Sequence, residues 1–101
     1  MASVAFILIL WTLDPAHIPN DSRERGKGWE ILMDMIKNDR EKGILRDWGA
    51  FPSEGRGYSV VEGPMLEVMK MTEQYVPFVR FEIHPATTMD DAEKFIRHLT
   101  G

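Results

Sequence analysis

The chain has no cysteine among its 101 residues, which excludes a disulfide framework, a zinc–thiolate site and a thiol nucleophile. It has little excess charge. Twelve Lys and Arg stand against 16 Asp and Glu, a formal net charge of −4, and the basic residues gather in no single stripe. Such a surface does not track a phosphate backbone, so no nucleic-acid partner is expected. Long apolar runs are scarce as well. Val4 to Trp11 (VAFILILW) falls far short of the ~20 residues that cross a bilayer as a helix. Only Met1-Ala2-Ser3 precedes it, where a secretory signal carries a basic region. The expectation is a cytoplasmic protein without membrane contact. The phosphate-cradling GxxxxGK-S/T, a GxGxxG after a strand, HExxH, GxSxG and the EF-hand loop are all missing. No cofactor and no metal are therefore expected.

What is present is a globular composition, 44% hydrophobic and 28% charged, in a length that allows one domain over residues 1–101. A chain of this size buries roughly 65% of its unfolded surface, a modest core to which a second subunit would add.

The elements follow from periodicity and punctuation. Val4 to Trp11 reads as a buried strand, ended by Asp14-Pro15. Asn20, Asp21 and Ser22 are candidate caps, and a helix is marked from about Lys27. Its stripe is Trp29, Leu32, Met33 and Ile36, and Gly43 stops it. Ile44 to Phe51 and Tyr58 to Glu62 form a hairpin around a glycine-rich turn. Pro64 opens a second helix as its first residue, with Met65, Val68, Met69, Thr72 and Tyr75 inward. Phe78 to His84 is a fourth strand. Thr88-Met89-Asp90-Asp91 caps a last helix that buries Met89, Ala92, Phe95, Ile96 and Leu99. The order β-α-β-β-α-β with a C-terminal helix predicts an α+β, ferredoxin-like fold on an antiparallel sheet, with both main helices on one face.

The first strand does not alternate. Val4, Phe6, Leu8 and Leu10 point one way and Ala5, Ile7, Ile9 and Trp11 the other, so both faces are apolar. Leaving one face in water would forfeit about 1.5–3 kcal/mol per large side chain. A second subunit packed sheet against sheet would cover it, and so would the last helix folded across. The expected partner is a second copy of the chain. The fourth strand does alternate, with Phe78, Arg80, Glu82 and His84 on the face opposite Val79, Phe81 and Ile83. The third strand sets Tyr58, Val60 and Glu62 on one face, and the second sets Arg46, Trp48 and Ala50 on one face. The sequence leaves open which of these faces points inward.

In order and spacing, four segments resemble a known family: the first strand running into Trp11-Thr12 and Asp14-Pro15, then Asp47-Trp48-Gly49, then Gly57 to Gly63 (GYSVVEG), then Phe78 to Pro85 (FVRFEIHP). The family is the one called domain of unknown function three-three-zero-three, within the dimeric α/β-barrel group of ferredoxin-like proteins. The resemblance implies the fold and a dimer closed by two sheets. It implies no activity, since the wider group spans cofactor-free monooxygenases, isomerases, cyclases, haem-handling enzymes and plain binding proteins.

Three readings of function follow. The first is a homodimeric protein holding a small aromatic or carboxylated molecule in the sheet cavity, between sheet and helices, with Trp11, Trp48, Tyr58, Glu62 and Phe78 as ligand-binding residues. Core packing is the commoner fate of such aromatics. The second is a cofactor-independent enzyme of isomerase, cyclase or oxygenase type. In it His84 moves a proton, tuned by Glu82, while Arg80 or Tyr58 steadies an oxyanion. The competing reading of these ionisable groups is an ion pair or a solvated strand end. The third is a structural dimer that binds another protein. Asp14 and His17, in the loop after the first strand, are two possible metal ligands without a third, or a gate to a cavity.

Overall fold

Residues 5–101 are described by a computed structural model of the chain; Val4, expected in the first strand, lies outside them. The elements are β1 (Ala5–Leu13), a 3-10 turn (Pro15–His17), α1 (Ser22–Glu41), β2 (Leu45–Phe51), β3 (Arg56–Gly63), α2 (Met65–Glu73), β4 (Val79–Ala86) and α3 (Met89–Thr100). The strands form one antiparallel sheet in the order β2-β3-β1-β4. This is the ferredoxin-like α+β arrangement with an added helix.

The doubly apolar β1 takes a central place in the sheet. Ile7, Ile9 and Trp11 face α1 and α2 and are buried, opposite Val61, Ser59 and Gly57 of β3. Ile36 of α1 and Val68 and Met71 of α2 close over them, so both helices lie on one face. The other face carries Phe6 and Leu8, at 36% and 38% exposure, beside the half-buried Leu10 and Val60. Among the described residues no element covers it.

Four local expectations are corrected. First, α1 starts at Ser22 rather than near Lys27, because the Asp21 carboxylate accepts the Glu24 amide at 3.1 Å and caps it. Second, Arg46, Trp48 and Ala50 do not share a face. A bulge between Leu45 and Asp47 inserts a residue, so Leu45 and Trp48 both meet the core, while Arg46 pairs with Glu62 at 2.9 Å. Third, Pro64 is the N-cap of α2 and Met65 its first residue. The buried stripe there is Val68, Met71 and Tyr75, leaving Met65 and Met69 at 40% and 59% exposure. Val68 and Tyr75 belong to both stripes; Met71, packed against the core of the sheet, takes the inward place expected for Met65 and Met69.

The fourth correction is the largest. No residue of α3 is buried. Met89, Phe95, Ile96 and Leu99 stand at 56–80% exposure. The expected cap is present, with Thr88 Oγ1 accepting the Asp91 amide at 3.2 Å, so the helix forms locally but meets nothing on its apolar side. The radius of gyration, 16.4 Å, exceeds the ~13 Å of a compact chain of this length because α3 stands off the body.

Candidate functional site

Asp14 organises the end of the sheet where β1 stops. Its amide donates to the Phe78 carbonyl at 2.9 Å, which ties the loop after β1 to the start of β4. Its carboxylate accepts the Ala16 amide and Arg80 on one oxygen, at 3.2 and 3.1 Å, and meets His17 Nδ1 on the other at 3.2 Å. The Ala16 amide holds the Asp14 carboxyl below its ordinary range, opposed by desolvation and helped by smaller effects of the Arg80 guanidinium and His17. The His17 ring stands edge-on to Phe78, with centroids 5.1 Å apart.

This corner forms one rim of a cleft of about 230 Å³ between the loop after β1, the first half of α1 and the turn before β4. Leu13, Ile18, Trp29, Leu32, Met35 and Phe78 supply apolar walls, while Asp14 and Arg25 bring charge and His17 an imidazole. Arg25 donates from one nitrogen to the Pro19 and Asn20 carbonyls, at 3.2 and 2.6 Å, so the guanidinium is held at the loop. Gly28 lies on the cleft wall in helical conformation, where an added Cβ would meet nothing within 4 Å. A helix-interior glycine costs about 0.5–1 kcal/mol relative to alanine. At this position that cost leaves open volume in the cleft.

Behind the cleft lies a smaller cavity of about 40 Å³ within the core. Trp11 stacks on Trp48 with centroids 5.4 Å apart and planes 8° from parallel, and Trp29 meets Trp11 edge-on at 6.0 Å. Three buried polar side chains line this cavity, Asp39, Ser59 and Tyr75. The phenol donates to Asp39 at 2.6 Å, and Gln74 Nε2 donates to the other carboxylate oxygen at 3.3 Å. Burial, and then the bond to Asp39, push the Tyr75 phenol far above its ordinary range, so it stays protonated. Asp39 was not among the candidates read from the sequence. The available signal was its place three residues after Ile36 on the buried stripe of α1.

The residues expected to act together are distributed over three places. Trp11 and Trp48 are core residues on the helix side of the sheet. Tyr58 and Glu62 are on the opposite, open face. The Tyr58 ring crosses Gly49 there to donate to Asp47 at 3.0 Å, and that bond raises its pKa. Phe78 alone of the expected ligand-binding residues lines the cleft.

Arg80, Glu82 and His84 are exposed on the open face. Arg80 is engaged by Asp14, and His84 Nε2 lies 2.8 Å from Glu82. None of the three lines the cleft or the inner cavity. Among the described residues no group of three or more His, Asp or Glu side chains is placed to hold a metal ion. No helix among them is long and apolar enough to cross a membrane.

Neither a family model, nor a curated protein, nor a solved structure matches the chain. The family resemblance drawn from the sequence thus rests on the order and spacing of its four segments.

Proposed function

We propose that the protein binds a small aromatic carboxylate in the cleft between α1 and the Asp14 corner, and that it does so as a homodimer associated through the open sheet faces. The observation that supports the ligand is a concave, largely apolar space with its charged groups gathered at one rim. The planar molecule lies against Trp29 and Phe78, and its carboxylate meets Arg25, whose planar donor fork suits it. Asp14 does not repel that anion strongly, because Arg80 already pairs with it. What supports the dimer is Phe6 and Leu8, large apolar side chains left in water on the uncovered side of a central strand.

The test is a titration with phenylacetate, followed by amide and indole NMR signals. Saturable shifts at the Trp29 indole, weakened at least fivefold by Arg25→Ala and abolished by Gly28→Leu, are expected. Gly28→Leu fills the cleft without lowering helix propensity. Benzyl alcohol should be insensitive to Arg25→Ala. No saturable shift with either compound at 10 mM, a concentration on the order of tenfold above a ~1 mM Kd, would overturn the reading.

A further inference from the structure

We infer that α3 is an exchanged arm: its apolar face packs on the open sheet face of a second copy of the chain. The inference rests on the proposed dimer and names the segment that completes it.

Among the described residues, two apolar surfaces on different elements lack a partner and complement each other. One is the stripe Met89, Ala92, Phe95, Ile96 and Leu99 on α3, with Asp90, Asp91, Lys94 and His98 on the polar side. The other is the strip of Phe6, Leu8, Leu10 and Val60 on the open face. The chain does not bring them together within one copy. β4 pairs with β1 as far as Ala86 opposite Phe6, and α3 begins at Met89. The Thr88 cap between them is extended, with φ −71° and ψ 160°, so the chain leaves the sheet without reversing over it. The long axis of the molecule reaches 61 Å. The 20-residue α1 accounts for only about 30 Å of such a length.

Size points the same way. Four strands of about eight residues present a face of about 500 Å². This is below the ~600–1,000 Å² per partner of specific, stable interfaces. A 12-residue helix adds a footprint of about 180 Å². With the arms exchanged, each protomer buries the ~180 Å² apolar face of its own α3 and its ~500 Å² sheet face, the strip under the partner's α3 and the rest under the partner's sheet, about 700 Å² in all and inside the range. A two-fold arrangement satisfies both surfaces on both copies at once, because each copy carries one arm and one strip.

The absence of cysteine makes the test direct, since any introduced thiol is unique. Light scattering should report a dimer for the wild-type chain. Phe95→Glu combined with Leu99→Glu should raise the dimer dissociation constant at least a hundredfold. The thermal unfolding of the resulting monomer should still be cooperative, because α3 contributes no buried residue to the body. Mixing Leu8→Cys protein with Ile96→Cys protein under oxidation should give a disulfide between the two species.

A dimer that survives Phe95→Glu/Leu99→Glu, or one that gives no Leu8–Ile96 cross-link, overturns the exchanged arm and leaves the sheet-to-sheet dimer standing. A monomeric wild-type chain at micromolar concentration overturns both. The phenylacetate titration reads the cleft separately and is not moved by either result.

Discussion

The Tyr75 phenol donates a 2.6 Å hydrogen bond to the Asp39 carboxylate, 36 positions upstream, and so ties the turn after α2 to the last third of α1. Asp39 is only 2% exposed, and its other oxygen has a longer bond, from Gln74. Removing the phenol would leave a buried carboxylate oxygen without its main donor. Tyr75→Phe is expected to destabilise the fold by about 1–3 kcal/mol in chemical denaturation. Tyr75→Phe with Asp39→Leu should recover much of that loss, since both polar partners are then gone. Additive losses in the double variant would show that the pair is not coupled.

The same pair sets a dependence on alkaline pH. The folded-state pKa of Tyr75 lies above the unfolded value of 10.0, so the unfolded chain loses its proton first. The stability this contributes is fully present below pH 10 and falls as pH rises beyond it. Melting temperatures between pH 9 and 12 should fall more steeply for the wild type than for Tyr75→Phe. Equal slopes would remove Tyr75 as the cause.

Asp14 gives the opposite sign at the acid end. Its folded-state pKa lies below the unfolded value of 3.8, so its contribution is present above that pH and lost as pH falls through the lowered folded value. The difference in melting temperature between wild type and Asp14→Asn should be present at about pH 5 and shrink toward zero below 3.8. A difference that persists at pH 2 would assign the effect to packing.

Two glycines on the neighbouring strands β2 and β3, Gly49 opposite Tyr58 and Gly57 opposite Ala50, should respond very differently to alanine. At Gly57 a Cβ would run into the Gly49 carbonyl and the Trp11 indole, a backbone atom and a packed core ring. At Gly49 it would meet only the Tyr58 ring, on the open face. Gly57→Ala is expected to cost about 3 kcal/mol or more and Gly49→Ala about 1 kcal/mol, read from denaturation midpoints. Similar costs at the two positions would contradict the placement of the Trp11 ring over Gly57.

The element order was readable because the local signals agreed: the run around Ile7 and Ile9, the stripe on α1, Gly43 in the left-handed region at φ +85°, and the Thr88 cap. All of these act within a few residues, so no distant contact is needed to see them. The sequence also determined that β1 carries apolar side chains on both faces, a property of composition alone. Tertiary structure decided the rest. The bulge after Leu45 put Arg46 on the face opposite Trp48, which strict alternation cannot anticipate. Asp14, rather than Glu82, engaged Arg80, because pairing of β1 with β4 brings together side chains 66 positions apart. The amphipathic pattern of α3 predicted a buried face, yet periodicity specifies only that a face is apolar, not what it meets. Whether a helix folds back or stands away depends on the direction of the chain at its cap and on the surfaces within reach, and both exist only once the sheet has formed.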